Sequence, residues 1–161
     1  NDTRAAEAIT MLHRVGFDRI AGWLEGGMHA WSVVGFPVEH VQQISVQELA
    51  ELSRKKPGPL VLDVRGKLEF ETLHLEGAVH MAAPDMRKRY GEVSKDRTVY
   101  VICNSGHRSS LACSVLKQHG VHKVVNVTGG MTAYNAAGLI GTCPTCTAPH
   151  LPSVKEVHGG R

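Results

Sequence analysis

Short apolar runs along the chain mark the candidate strands. The clearest are residues 60–64 (LVLDV) and 98–102 (TVYVI), and weaker runs lie at residues 78–81 and 123–127. Nearly continuous apolar runs of this length are typical of parallel strands that are buried on both faces. The pattern therefore predicts a parallel sheet with both of its faces covered.

Segments with helical spacing separate these runs. Ser45 and Glu48 fit the capping-box pattern, which predicts a helix from Val46 to about Ser53. Further helices are predicted over residues 5–12, 67–73, 84–90, 108–119 and 131–137. Strands that alternate with helices indicate an α/β fold, in which helices pack on both faces of a parallel sheet.

The chain contains an internal repeat. Residues 26–36 (GGMHAWSVVGF) match residues 129–139 (GGMTAYNAAGL), and the similarity extends upstream to residues 12–20 and 116–124. Each copy predicts a helix, a strand and a helix. The second copy follows a long stretch of further strand and helix patterns, whereas the first begins close to residue 1.

The repeat predicts how the chain is organised. We interpret residues 1–39 as the C-terminal part of a degenerate upstream repeat, residues 40–141 as a complete domain, and residues 142–161 as a flexible tail. The truncated repeat lacks the strands that its apolar side chains should cover. We therefore expect it to pack on the complete domain or, as the favoured alternative, to form a homodimer. The apolar side chains concerned are Ile9, Leu12, Trp23, Leu24 and Trp31.

Composition and charge exclude several classes of function. The 161 residues carry 18 basic and 15 acidic side chains, a net charge of +3, and the basic residues are scattered, so we expect no nucleic-acid partner. No window approaches the roughly 18 consecutive apolar residues of a membrane span, and the first residues lack the pattern of a secretory signal. Four cysteines are too few and too clustered for a disulfide framework. We therefore expect a cytoplasmic protein with reduced thiols and no membrane partner.

The segment that follows residues 98–102 carries the most chemistry. That strand leads directly into Cys103, and a helix is predicted from Arg108. A loop that closes on a helix N-terminus turns its N–H groups inward and adds the positive end of the helix dipole. Such a site stabilises a thiolate, so we expect Cys103 to be the catalytic nucleophile. The expected substrate-binding residues are the rest of this loop and its first helical turn: Asn104, Ser105, Gly106, His107, Arg108 and Ser109.

Other residues are expected to support this loop. Gly106 permits the tight backbone, and Arg108 supplies a planar cation that can bind an oxyanion through two hydrogen bonds. We expect Asp63, Arg65 and Glu69 to form a buried salt-bridge network behind the loop, because an arginine buried at a strand end needs carboxylate partners.

Three ordered motifs resemble those of the rhodanese family. Residues 62–70 with residues 74–81 resemble its first motif, Cys103–Ser109 its active-site loop, and residues 126–134 its closing motif. The resemblance implies a sulfurtransferase without a cofactor. In such an enzyme Cys103 takes a sulfane sulfur from thiosulfate or a low-molecular-weight persulfide, and passes it to a thiol or cyanide acceptor.

Loop length and composition refine the resemblance. Cys103 to Arg108 is six residues, as in the family's sulfur-transferring members, whereas the similar cysteine phosphatases and arsenate reductases use one residue more. Asn104 stands where many thiosulfate enzymes have a basic residue, which weakens the case for thiosulfate as the best donor. The alternatives are a same-fold cysteine phosphatase or arsenate reductase, and a non-catalytic rhodanese-like interaction module.

The loop and the degenerate repeat together also resemble a particular group of fusion proteins. In these proteins a metallo-β-lactamase-fold persulfide dioxygenase precedes two rhodanese modules. The resemblance implies an upstream metal-binding domain, and we expect no metal in the residues of this chain. Cys143 and Cys146 form a CxxC pair in the predicted tail, for which a zinc site and a sulfur-receiving dithiol are alternatives to adventitious thiols.

Overall fold

A computed structural model describes residues 2–140, with side chains from residue 4 onward. The chain divides between His40 and Val41 into two compact units. No helix among the described residues is both long and apolar enough to cross a membrane. The predicted tail and its CxxC pair lie outside the described residues.

The first unit contains two helices, α1 (Asp2–Arg14) and α2 (Gly27–Val33). The indole of Trp31 donates a hydrogen bond to the carbonyl of Pro37 at 3.0 Å, and its ring contacts Phe36 with centroids 4.6 Å apart. The strand predicted for this copy of the repeat is wrong, because residues 17–20 have no regular structure. A strand forms only when a neighbour pairs with it, and within residues 2–40 the structure contains no strand to do so.

The second unit is built on a sheet of five strands, all parallel. Its order is β1-β5-β4-β2-β3, and the strands are β1 (Gln42–Ile44), β2 (Leu60–Asp63), β3 (Val79–His80), β4 (Val99–Ile102) and β5 (Val124–Val127). The helices that connect them are α3 (Val46–Ser53), α4 (Lys67–Thr72), α5 (Met86–Arg89) and α6 (His107–Gln118), and α7 (Gly130–Ala136) follows the last strand. Short 3-10 turns flank α5 on both sides.

Alternate residues of the strands supply two separate cores. Val99 and Val101 of β4 join one core with Leu116 of α6, whereas Ile102 joins the other with Leu49 of α3. The sheet is therefore covered on both faces, as buried parallel strands require. The predicted α/β fold class is confirmed.

Local sequence signals account for most of these elements. Ser45 Oγ accepts a hydrogen bond from Glu48 N at 3.2 Å, and Glu48 Oε2 accepts one from Ser45 N at 2.7 Å, so the predicted capping box is present. The helix predicted over residues 84–90 is broken, because only Met86–Arg89 are α-helical. The edge strand β1 was not predicted, since it is three residues long and two of them are glutamines.

Candidate active site

Cys103 lies at the carboxyl edge of the sheet, directly after the central strand β4. The chain turns at Gly106, whose φ of 99° lies in the left-handed region, and α6 begins at His107. Glycine adopts this conformation without steric cost. The turn brings the helix N-terminus beside the cysteine, as the sequence predicts.

The sulfur of Cys103 is buried and receives two hydrogen bonds. Gly106 N donates to Sγ at 3.1 Å, and the hydroxyl of Ser109 donates to it at 3.3 Å. Burial by itself raises the pKa of this thiol. The Ser109 hydroxyl and the backbone N–H groups of Ser109, Ser105 and Gly106 outweigh burial and lower the pKa below its ordinary value. The site therefore favours a thiolate, which is the nucleophilic form.

A glycine turn at the start of α7 holds the loop from behind. Met131 N donates to the carbonyl of Cys103 at 2.8 Å, and Thr132 N donates to that of Asn104 at 2.9 Å. A Cβ on Gly130 would lie 2.2 Å from the Cys103 carbonyl oxygen, and its φ is +55°. Only glycine fits there. This turn lies in the closing motif, residues 126–134, and its two glycines recur in both copies of the repeat, but neither pattern indicates contact with the Cys103 loop.

Arg108 pairs with Glu69 across the site. Its two terminal nitrogens donate to Oε2 and Oε1 of Glu69 at 2.7 and 2.8 Å, which links α6 to α4. The hydrogen bonds from Arg108 lower the pKa of Glu69 to about 2, and the carboxylate raises the pKa of Arg108. Both side chains are about 40% exposed, with 41% for Arg108 and 39% for Glu69, so the pair faces solvent.

The support network expected from Asp63, Arg65 and Glu69 is divided in two. Arg65 Nη2 donates to Asp63 Oδ2 at 2.7 Å and also to the carbonyl of Leu73, and the pair is buried. Glu69 is half-exposed, and its hydrogen-bonded cation is Arg108 rather than Arg65. The difference from the expectation arises because residue spacing alone does not define which long-range partner a carboxylate meets.

The exposed part of the loop carries the other predicted binding residues. Asn104, Ser105 and His107 are exposed, and the Ser105 hydroxyl lies 3.0 Å from His107 Nδ1. Ser105, Gly106 and His107 also line an open cleft of about 540 Å³ between the loop and the edge of the sheet. Cys103 itself does not line this cleft.

Cys113 lies on α6 and contrasts with Cys103. It is fully buried in the core, and burial raises the pKa of its thiol to about 12. Of the two cysteines among residues 2–140, only Cys103 therefore has a thiolate-stabilising environment. No group of three or more potential metal ligands occurs in this part of the chain.

Comparison with known proteins gives consistent results. The chain is 34% identical over 91 residues to the putative sulfur carrier protein YrkF of Bacillus subtilis, covering 56% of this chain and 49% of YrkF. It is 31% identical over 99 residues to a sulfurtransferase of Allochromatium vinosum, covering 62% of this chain and 92% of that one. The chain thus spans about half the length of YrkF but most of the smaller relative.

A solved structure and a family model complete the comparison. The crystal structure of SSP1007 from Staphylococcus saprophyticus aligns with a TM-score of 0.56 at 30% identity, covering 58% of this chain and 93% of that one. The model of the rhodanese-like domain matches residues 45–137. These residues include strands β2 to β5 and the loop at Cys103. The match covers more than half of this chain, and the chain therefore belongs to the rhodanese-like domain family.

Proposed function

We propose that this protein is a sulfurtransferase in which Cys103 carries sulfane sulfur as a persulfide. The observation that carries the proposal is the environment of Cys103 Sγ. It is buried, and two donors bond to it, so that the thiol pKa is lowered even though burial opposes this. A buried thiolate with inward N–H groups is suited to attack a polarised sulfur atom.

The relatives support this proposal at the level of reaction class. The Allochromatium vinosum protein, which aligns over 92% of its length, is named a sulfurtransferase. YrkF is named a putative sulfur carrier protein. The match to the rhodanese-like domain, residues 45–137, contains Cys103, so we extend sulfur transfer to this chain.

The first half-reaction loads the cysteine. The Cys103 thiolate attacks the outer sulfur of thiosulfate, an S–S bond forms, the S–S bond of thiosulfate breaks, and sulfite leaves with the electron pair. With an alkyl persulfide as donor, the same attack releases the alkyl thiolate. The N–H groups around Sγ stabilise the negative charge on the resulting persulfide.

The second half-reaction unloads the cysteine. An acceptor thiolate attacks the terminal sulfur of the Cys103 persulfide. A new S–S bond forms on the acceptor, the bond between Sγ and the terminal sulfur breaks, and the Cys103 thiolate leaves with the electron pair. Cyanide as acceptor gives thiocyanate in the same way. Charge and electrons balance in both half-reactions, so no cofactor or external oxidant is needed.

Intact mass spectrometry tests the proposal directly. Exposure to thiosulfate, and separately to glutathione persulfide, is expected to add about 32 Da, the mass of one sulfur atom, to the reduced protein. Cys103→Ser is expected to abolish this adduct, whereas Cys113→Ser retains it, because Cys113 has a strongly raised pKa. An adduct on another cysteine with Cys103 unmodified would contradict the assignment. Absence of any adduct with either donor would favour the non-catalytic alternative.

A further inference from the structure

The charge of Arg108 is already neutralised by Glu69. Arg108 is the only lysine or arginine in the sequence Cys103–Ser109. Both of its terminal nitrogens donate to the carboxylate of Glu69, at 2.7 and 2.8 Å. This bidentate edge is the part of a guanidinium that best binds an incoming oxyanion. An oxyanion donor must therefore displace Glu69 or bind beside its negative charge.

The position of the pair matters as much as its charge. Both side chains are about 40% exposed, at 41% and 39%, whereas Cys103 is fully buried. Arg108 precedes Ser109, whose hydroxyl bonds to Sγ, so the guanidinium belongs to the helical turn beside the sulfur. The hydrogen bonds to Glu69 contribute most to the raised pKa of Arg108, and the charge of the Cys103 thiolate adds to it. A donor that reaches Sγ with a second charged group consequently meets the field of this pair.

We propose that Glu69 is a specificity-determining positioning residue, which holds Arg108 so that the site disfavours dianionic oxyanion donors and favours donors with a single charge on the sulfane sulfur. That these ligands are sulfur donors rests on the proposed function. The discrimination between them by charge does not depend on it. Thiosulfate belongs to the disfavoured class, and a hydropersulfide with an uncharged body belongs to the favoured class.

The chain offers a substitution that removes the charge with little change in shape. Glu69 Oε2 also accepts a hydrogen bond from Gly66 N at 3.0 Å, at the start of α4, and the side-chain oxygen of a glutamine can accept the same bond. Glu69→Gln therefore removes the carboxylate charge and retains this contact. Glu71→Gln is the matched control, because Glu71 is on the same helix and is exposed, and its ion pair is with Lys67 at 3.6 Å.

Steady-state kinetics with two donors tests the proposal. For Glu69→Gln we expect the KM for thiosulfate to fall about threefold to tenfold with little change in kcat, since a nearby charge at a site rim acts mainly on encounter and binding. The KM for the hydropersulfide of 2-mercaptoethanol is expected to change less than about twofold. This fall in the KM for thiosulfate is expected to become smaller at high salt, because the Debye length shortens to about 3 Å at 1 M. Glu71→Gln is expected to match the unmodified protein with both donors.

A double variant separates selection by charge from a structural effect. In the Arg108→Gln background, Glu69→Gln releases no cation and removes only the repulsion by the carboxylate, so the fall in the KM for thiosulfate is expected to be smaller than in the unmodified background. If Glu69→Gln lowers the KM equally for both donors, or lowers the KM for thiosulfate as strongly without Arg108 as with it, the proposal is overturned.

Alkylation of Cys103 gives a readout that does not depend on sulfur transfer. Iodoacetate is an anion and iodoacetamide is neutral, and the ratio of their rates reports the charge at the site. We expect Glu69→Gln to raise this ratio about threefold or more, and Glu71→Gln to leave it unchanged. A raised ratio without any sulfur transfer would refute the proposed function and retain selection by charge. An unchanged ratio, or a Cys103 that neither reagent reaches, would refute selection by charge.

Discussion

The reactivity of Cys103 depends on two opposing effects at the scale of single residues. Burial raises the pKa of its thiol, and hydrogen bonds from Ser109, Ser105 and Gly106 lower it by more. The sequence predicted the thiolate from the loop and the helix N-terminus, which are local features. The sequence also places the Ser109 hydroxyl at this helix N-terminus, where it can support either the loop or the sulfur. In the structure it bonds to Sγ, and that choice depends on how the first turn of α6 is rotated.

Removing the Ser109 hydroxyl is expected to shift the pH dependence of the thiol upward. A hydrogen bond to a charged group contributes about 1.5–3 kcal/mol, and one pKa unit corresponds to about 1.4 kcal/mol. Ser109→Ala is therefore expected to raise the pKa of the Cys103 thiol, which is the midpoint of its pH dependence, by about one to two units. Because the thiolate is the reactive form, alkylation at neutral pH becomes slower. The rate of iodoacetamide labelling as a function of pH measures the midpoint.

Ser114→Ala is the matched control for this substitution. Ser114 lies on the same helix and is exposed, and its hydroxyl bonds to the carbonyl of Ser110 rather than to sulfur. It is expected to leave the midpoint unchanged. Equal midpoints for Ser109→Ala and the unmodified protein would mean that the backbone N–H groups alone stabilise the thiolate.

At the scale of elements, the start of α7 sets the shape of the active-site loop. Gly130 packs against the Cys103 carbonyl, and Met131 N and Thr132 N bond to the loop carbonyls. Its counterpart in the first copy of the repeat is Gly27, with a similar φ of +60° but nothing within 4 Å of a Cβ. The two glycines thus share a backbone conformation and differ in their surroundings.

This difference predicts unequal effects of the same substitution. Gly27→Ala is expected to lower the free energy of unfolding by about 1–2 kcal/mol, because a residue with a Cβ is strained in the left-handed conformation. Gly130→Ala adds a clash with the Cys103 backbone, so it is expected to lower the melting temperature further. Because small displacements of reacting groups slow catalysis strongly, we also expect its kcat/KM to fall by about tenfold or more. Thermal unfolding and donor kinetics measure both effects, and equal losses for the two variants would contradict the role of the turn.

Elements were predictable where their signals are local. A few consecutive residues are enough to recognise the apolar runs of β2 and β4 and the capping box of α3. The edge strand β1 is defined by its pairing with β5, and no apolar run marks it. The pairing of Glu69 with Arg108 joins residues 39 positions apart, so it depends on the packing of α4 near α6 rather than on any motif.

At the scale of the whole molecule, the two copies of the repeat differ in what covers them. In the second copy Leu116 and Val121 are fully buried and Met131 is 3% exposed. Their counterparts in the first unit are Leu12, Phe17 and Met28, which are 39%, 61% and 57% exposed. The same apolar pattern is thus packed beneath a sheet in one unit and exposed in the other. Apolar surface left in water costs about 25 cal/mol per Å².

We expect a second copy of the chain to cover this surface, giving a homodimer through the first unit. A stable interface buries about 800 Å² on each partner, and the first unit carries eleven large exposed apolar side chains, which are Met11, Leu12, Val15, Phe17, Trp23, Leu24, Met28, Val33, Val34, Phe36 and Val38. Met28→Glu places a charge in this surface and is expected to convert the dimer into a monomer. His29→Glu is the matched control, because its counterpart Thr132 is exposed in the second copy. Sedimentation velocity distinguishes the outcomes, and a monomeric unmodified protein, or a dimer that persists in Met28→Glu, would refute this interface.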